Sequence, residues 1–250
     1  MPIHMSYLEK CIKGMSVTLI LSLVVFIFSN LTYANKSIPD RLVNRNSGTI
    51  FISGRRVMRI RHSGDYSSID ERTEKIYKRL SDLFTHPPSG AINFYVAPES
   101  KQVIAYCNQK LLFSVYPSDA SLNNSEMLDL ALLWLNQIQM EFYRLYDGYE
   151  GRVVNKIIGL ASWYGPRFSG RTTACEEVFN PYAFTAAHRT LPIGSILLVS
   201  NPDNGKKVVV RVNDRGPRSK NREIDLSLAA AKAIGIHQSG VDDVTIEVIE

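Results

Sequence analysis

Apolar and polar residues follow three different patterns along the chain, and the first is a long apolar run near its start. The stretch from Met15 to Phe28 is largely apolar, Lys10 and Lys13 precede it, and a small-residue pattern ends at Ala34. This order predicts a secretory signal peptide over residues 1–34, and therefore secretion to the periplasm or cell envelope. The run is shorter than the roughly 20 apolar residues that span a bilayer, but an uncleaved membrane anchor is the alternative.

The second pattern alternates strands with helices and follows a polar linker predicted at residues 35–46. Two short strands flank a turn at Ser53-Gly54, and apolar residues at helical spacing come next. Three more strands, a loop over Ser118–Asn124 and a second helix from Ser125 to Leu145 follow. Together they predict a small α+β accessory domain over residues 47–148.

The third pattern consists of short strands and frequent turns, beyond a second linker predicted at residues 149–158. One helix interrupts the strands, with Ser227 as its N-cap and Gly235 at its end. This pattern predicts an all-β barrel with one short helix over residues 159–250. The runs with strand character are Leu160–Trp163, Ser195–Val199, Val208–Val212, Glu223–Asp225 and Val244–Val248.

The composition is that of an ordinary globular protein, and it narrows the possible functions. The formal net charge is +5, with 45% hydrophobic and 21% charged residues. This mild basic excess suits an anionic polymer, but no basic helix interleaved with aromatic residues predicts nucleic-acid binding. No CxxC or HExxH spacing predicts a metal site, so neither a metal nor a cofactor is expected. Beyond the signal peptide only Cys107 and Cys175 remain, either as a disulfide bridge or as free thiols.

One acidic residue of the barrel region stands in a setting that suits catalysis. Asp214 follows the β-rich run Val208–Val212 and precedes an Arg-Gly-Pro turn, which would present its carboxyl group at the rim of the barrel. Such a group can protonate a glycosidic oxygen and then remove a proton from the sugar. A turn-capping aspartate that bonds the Arg215–Gly216 backbone is the alternative.

Six motifs run through this region of the chain: Gly159-Leu-Ala-Ser-Trp163-Tyr-Gly, Thr173-Ala-Cys-Glu-Glu177, Ala187-His188-Arg-Thr-Leu-Pro-Ile-Gly194, Asn204-Gly205, Asn213-Asp214-Arg-Gly-Pro217 and Ile224-Asp225-Leu-Ser227. Together they resemble the double-psi β-barrel of the rare lipoprotein A (RlpA) family of septal lytic transglycosylases. The resemblance spans Gly159 to Val248. It implies a six-stranded barrel that cleaves peptidoglycan strands between N-acetylmuramic acid and N-acetylglucosamine and leaves 1,6-anhydro ends.

The resemblance also implies roles for individual side chains. Asp214 would act first as acid and then as base, and Glu177 and His188 would accompany it at the active site. Without the resemblance, a structural histidine would be the better interpretation of His188.

The expected substrate contacts involve aromatic and charged residues close to these motifs. Trp163 and Tyr164 either stack on sugar faces or pack in the core. Arg215 and Asp225 are the charged candidates for substrate binding. Arg215 either contacts substrate carboxylates or forms an ion pair with Asp225 that braces the barrel.

The chain departs from the family at two motif positions and in its N-terminal segment. Cys175 and Glu176 stand where the family usually has Asn or Ser and then Gly, so the loop either does not need a positive φ at Glu176 or bears strain there. Many relatives are lipid-anchored, but the cysteine nearest the apolar run, Cys11, precedes it, so no lipid attachment is predicted.

Two other functions are consistent with the same barrel, because a fold does not determine a function. One is a non-catalytic polysaccharide-binding module that resembles expansins. The other is an inverting glycoside hydrolase, in which Asp214 and a second carboxylate would stand about 6.5–9.5 Å apart with water between them. A monomer is expected, and residues 47–148 are the expected contact surface for septal or other cell-envelope proteins.

Overall fold

The computed structural model describes residues 42–146 and 153–249, which belong to one structural unit. The predicted signal peptide lies outside the described residues, as do residues 35–41 of the predicted first linker. No helix within the two described ranges is both long and apolar enough to cross a membrane.

The first described range is an α+β structure, in agreement with the sequence. It contains two antiparallel three-stranded sheets, in the orders β1-β2-β3 and β4-β5-β6, and helices that pack on them. The elements are β1 (Val43–Asn46), β2 (Thr49–Ile52), β3 (Arg55–Arg59), α1 (Ile69–Thr85), β4 (Phe94–Pro98), β5 (Val103–Cys107), β6 (Lys110–Val115), α2 (Pro117–Leu122) and α3 (Met127–Tyr146).

Two elements lie where the sequence predicted irregular structure. Strand β1 falls inside the predicted linker 35–46, because its backbone pairs with β2 from Val43 opposite Ile52 to Asn46 opposite Thr49. Helix α2 replaces most of the predicted Ser118–Asn124 loop. Pro117 suits the first turn of a helix, and the Asp119 carboxylate accepts a hydrogen bond from the backbone N–H of Tyr116 at 3.0 Å.

A buried ion pair joins α1 to α2 inside this region. The guanidinium of Arg72 donates two hydrogen bonds to the Asp119 carboxylate, at 2.9 and 2.7 Å, and both side chains are almost completely buried. Arg72 also donates to the backbone oxygens of His62 and Ser114. A buried charge is tolerated when it is paired and fully hydrogen-bonded, as this one is.

The second described range forms the predicted six-stranded closed barrel. Its strands follow the order β10-β8-β11-β7-β12-β9, with parallel pairing of β10 with β8 and of β11 with β7. The elements are β7 (Val153–Trp163), a 3₁₀ turn (Pro166–Phe168), β8 (Thr185–His188), β9 (Ile196–Ser200), β10 (Lys207–Asp214), β11 (Ile224–Leu226), α4 (Leu228–Ile234) and β12 (Val241–Ile249).

The barrel differs from the sequence prediction in two strands. β7 begins at Val153 and pairs with β12, so much of the predicted linker 149–158 is strand. β8 was missed because Thr-Ala-Ala-His lacks the branched and aromatic residues typical of strands. The helix prediction is confirmed: Ser227 Oγ accepts from the N–H of Ala230, and Gly235 ends α4 with φ +81°.

The α+β region packs directly on the barrel. β8 pairs with β10 only from Arg211 onward, so the backbone oxygens of Lys207 and Val209 have no partner in β8. Helix α3 supplies the donors: Asn136 Nδ2 lies 2.9 Å from the Lys207 oxygen and Gln139 Nε2 lies 2.8 Å from the Val209 oxygen. Strand β4 also bonds the segment that leads into β8, through Val96 N to Tyr182 O and Phe184 N to Phe94 O.

Candidate active site

Asp214 stands at the C-terminal end of β10, half-buried, at the rim of the barrel. Its Oδ1 accepts hydrogen bonds from the backbone N–H groups of Ala174, at 2.9 Å, and Arg215, at 2.8 Å. Its Oδ2 accepts from the Tyr164 hydroxyl at 2.9 Å. Three donors from three different segments therefore fix the carboxyl group in one orientation.

An open groove of about 620 Å³ runs past Asp214. A second hollow of about 480 Å³ shares five of its lining residues and adds Trp163, so the two form one elongated depression. Its charge is mainly positive, since five arginines and two aspartates line the first part. The charged lining residues are Arg167, Arg171, Asp214, Arg215, Arg218, Arg222 and Asp225.

Tyr164 has a polar and an apolar role in the groove. Its ring packs against Phe168 and Phe179, each with ring centroids 5.1 Å away. Burial raises the pKa of Tyr164 far above its ordinary value, and the charge of Asp214 raises it further. The hydroxyl therefore keeps its proton and donates a hydrogen bond to Asp214. Trp163 is half-buried and lines the second hollow.

Glu177 binds other partners than Asp214. Its Oε2 accepts from Arg211, at 2.8 Å, and from Asn213, at 3.3 Å. Burial alone would raise the pKa of Glu177, but the hydrogen bonds and charge of Arg211 outweigh it and lower the pKa. Glu177 is linked to Asp214 only through a turn of the backbone. Its backbone oxygen accepts a hydrogen bond from Thr173 N at 2.9 Å and so closes the turn. Within this turn, Ala174 N donates to Asp214.

His188 is 4% exposed at the end of β8. Its Nδ1 accepts from the backbone N–H groups of Thr190, at 3.3 Å, and Leu191, at 3.0 Å, so the ring proton resides on Nε2. Nε2 is buried without a hydrogen-bond partner among the described residues. Burial lowers the pKa of His188, and the charge of Glu223 only partly opposes this. The ring is therefore neutral at pH 7 and shapes the loop that follows it.

The loop after His188 holds Arg215, the neighbour of Asp214. Arg215 Nη1 donates to the backbone oxygens of His188, at 3.2 Å, and Leu191, at 2.5 Å. The alternative of an Arg215–Asp225 ion pair is wrong: Asp225 Oδ1 instead accepts from Arg222 Nε at 3.1 Å and from Ser162 Oγ at 2.6 Å. Sequence reasoning missed Arg222, because a spacing of three residues brings side chains together on a helix, and Asp225 lies on a strand.

The turn that contacts Asp214 has a strained backbone at Glu176. This residue has φ +67°, in the left-handed region, and its N–H donates to the Thr173 oxygen at 3.0 Å. Of the two possibilities left open by the sequence, the loop therefore does adopt a positive φ where a glycine would suit it. Glu176 bears the steric cost of its Cβ, of the order of 1 kcal/mol.

The two cysteines do not pair. Cys107 and Cys175 are both free thiols, the first buried and the second half-buried. Burial raises the pKa of Cys107 to about 12, so it is an inert core residue. Within the described ranges, no three His, Cys, Asp or Glu side chains are placed to hold a metal ion.

Comparison with known families agrees with this geometry. Residues 156–246 match the family model described as lytic transglycolase, and residues 49–145 match a model for a domain of unknown function. Residues 156–246 are a lytic transglycolase domain. This domain contains the whole groove, Asp214 and the Thr173–Glu177 turn.

The lytic transglycolase domain is similar to parts of longer proteins. The probable endolytic peptidoglycan transglycosylase RlpA of Synechocystis is 59% identical over 92 residues, which are 37% of this chain and 29% of that protein. The endolytic peptidoglycan transglycosylase RlpA of Vibrio cholerae is 57% identical over 91 residues, which are 36% and 35% of the two chains. This chain thus spans about a third of the length of these curated relatives.

A solved expansin of Clavibacter michiganensis aligns with 38% of this chain and 51% of its own, at 22% identity and a TM-score of 0.32. A likeness this low has no bearing on function.

Proposed function

We propose that the protein is a lytic transglycosylase that cleaves the glycan strands of peptidoglycan. The observation that carries this proposal is the Asp214 carboxyl group, held by three donors on the wall of an open groove inside a lytic transglycolase domain. Relatives named endolytic peptidoglycan transglycosylases, at 57–59% identity over this domain, support it.

Asp214 performs both proton transfers in the proposed reaction. Protonated Asp214 donates its proton to the glycosidic oxygen as the bond from C1 of N-acetylmuramic acid breaks. The hydroxyl on C6 of the same sugar then attacks C1, and the Asp214 carboxylate accepts its proton, which closes the 1,6-anhydro ring. Ala174 N, Arg215 N and Tyr164 Oη stabilise the carboxylate that exists between the two steps. No water enters the products.

Glu177 and His188 act in this proposal as positioning residues. Glu177 closes the Thr173–Glu177 turn, which carries one of the donors to Asp214. His188 orders the loop whose backbone oxygens hold Arg215, which carries the second. Both therefore act on Asp214 through backbone groups, without touching it themselves.

The rest of the groove suits an acidic amino-sugar chain. Five arginines line the groove, Arg215 among them, and their positive charge suits the carboxylates of such a substrate. Trp163 is available for stacking on a sugar ring, whereas Tyr164 is engaged by Asp214 and two phenylalanines. Asp225, paired with Arg222, fixes the wall between the two parts of the groove.

The proposed site of action is the periplasm or cell envelope, where peptidoglycan lies. The basic start, apolar run and small-residue cleavage pattern of residues 1–34 support a secretory signal. The proposed form is a monomer.

The products identify the reaction. Purified sacculi are digested with the protein, and the soluble fragments are analysed by mass spectrometry. We expect anhydro ends, which lytic transglycosylase activity gives and which are lighter than hydrolysis products by one water molecule. Reducing ends would instead show hydrolysis, as an inverting hydrolase would give, and binding without soluble fragments would show an expansin-like module.

A further inference from the structure

A separate groove, of about 450 Å³, lies in the α+β region, away from the depression beside Asp214. It separates the outer edge of β3 from α3 and from the loop between α2 and α3. Within its sheet β3 pairs with β2 alone, and four of its residues, Arg56 to Arg59, line this groove. The lining residues are Arg56, Val57, Met58, Arg59, Arg61, Asn123, Asn124, Ser125, Leu130, Leu133, Trp134 and Gln137.

Three arginines give the groove a concentrated positive charge. Arg56, Arg59 and Arg61 are exposed, and within the two described ranges none of them forms an ion pair or a side-chain hydrogen bond. Their neighbour Arg55 differs, since it lies 3.3 Å from the carboxylate of Glu141. Guanidinium groups kept together without acidic partners repel one another, and an anionic ligand would remove this repulsion.

The floor of the groove is apolar and recessed. Leu130 and Trp134 are each 3% exposed, whereas Leu133 is 52% exposed at the rim. Leu133 therefore offers an apolar contact at the rim of the groove, and the three arginines offer guanidinium groups.

These features distinguish among anionic ligands. Glycans and single-stranded nucleic acids need exposed aromatic faces for stacking, but the ring of Trp134 is covered. A membrane surface needs apolar residues that protrude, but here most of them are recessed. An extended peptide needs neither an exposed aromatic face nor protruding apolar residues. Its backbone can pair with the edge strand β3, and its alternating side chains can reach the arginines of β3 and Leu133 of α3.

We propose that the groove along β3 binds an extended segment of a partner protein in which acidic and apolar residues alternate. The acidic side chains pair with Arg56, Arg59 and Arg61, and the apolar ones contact Leu133, which is the exposed apolar residue in the lining. This proposal does not depend on the activity of the barrel, since Asp214 and its groove share no lining residue with this surface.

Fluorescence anisotropy with the full chain tests the proposal. The probe is a labelled twelve-residue peptide in which Glu alternates with Val and Thr; its counterparts carry Lys in place of Glu, or Pro at two central positions. The protein variants are Arg56→Glu/Arg59→Glu/Arg61→Glu and, as a control with the same charge change, Lys75→Glu/Lys101→Glu/Lys156→Glu. The control lysines are exposed and do not line the groove.

We expect the acidic peptide to bind at least ten-fold more weakly to the arginine variant than to the wild type. Its affinity for the lysine variant should equal that for the wild type. The Lys and Pro peptides should bind at least ten-fold more weakly to the wild type. Leu133→Asp, which leaves all three arginines in place, should also weaken binding. Equal binding by both triple variants would overturn the proposal, as would tight binding of the Pro peptide or a preference for phosphatidylglycerol vesicles over the peptide. Circular dichroism confirms that each variant is folded, and anhydro-product release by the arginine variant should match the wild type.

Discussion

Tyr164 donates a hydrogen bond from its hydroxyl to Oδ2 of Asp214 at 2.9 Å, across 50 residues of sequence. The bond joins the end of β7 to the end of β10, and two phenylalanines hold the Tyr164 ring in place. Tyr164 is thus the side chain that directly orients the proposed catalytic carboxyl group, whereas Glu177 and His188 act on it through the backbone.

Replacement of Tyr164 by Phe removes this donor and keeps the ring packing. We expect anhydro-product release to fall about ten-fold, since a hydrogen bond to a charged group contributes roughly 1.5 kcal/mol. The measurement is the initial rate on purified sacculi. Tyr182→Phe, which removes a hydroxyl outside the groove, should leave that rate unchanged; equal rates for Tyr164→Phe and the wild type would show that this bond does not assist the reaction.

Glu176 gives a prediction about stability. Gly at this position accepts φ +67° without a steric cost but has more freedom in the unfolded chain, so Glu176→Gly should raise the free energy of unfolding by about 0.5 kcal/mol. Urea denaturation measures it. Glu176→Ala removes the carboxylate but keeps a Cβ, so it should raise the free energy of unfolding by less than Glu176→Gly does. An equal increase for both variants would show that charge repulsion, and not backbone strain, is the cause.

The pair of Glu177 with Arg211 predicts a pH dependence of stability. Because the pKa of Glu177 is lower in the folded than in the unfolded protein, the pair stabilises the fold above the unfolded value, near 4.5, and this contribution is lost as the pH falls through the folded pKa. Glu177→Gln should therefore be less stable than the wild type at pH 7, and the difference should shrink below about pH 4.5. Urea denaturation at pH 7 and at pH 3 measures this, and a difference that is constant with pH would contradict it.

Gln139 tests whether the α+β region supports the barrel. Gln139→Ala leaves the buried backbone oxygen of Val209 without its donor, so the free energy of unfolding should fall by about 1–3 kcal/mol. Gln137→Ala, two residues earlier on α3, is the matched control and should change it by less than about 0.5 kcal/mol. Equal effects of the two substitutions on urea denaturation would show that this contact is energetically unimportant.

The sequence predicts the barrel and the position of Asp214 better than it predicts the partners of the site. A β-rich run followed by Arg-Gly-Pro was enough to place Asp214 at the end of a strand, because strand and turn preferences are local. The pairing of Glu177 with Arg211, by contrast, depends on how a loop folds back on β10, which no local preference determines. The same holds for the contacts of β4 and α3 with the barrel, which join residues far apart in sequence.

The most direct test of the proposed mechanism compares Asp214→Asn with Asp243→Asn. Both changes remove one carboxylate, but Asp243 is exposed on β12 and does not line the groove. Mass spectrometry of fragments released from purified sacculi measures the outcome. We expect Asp243→Asn to release anhydro products at the wild-type rate and Asp214→Asn to release at least 100-fold less, because an amide can act neither as the acid nor as the base. Equal release by the two variants would contradict the role of Asp214.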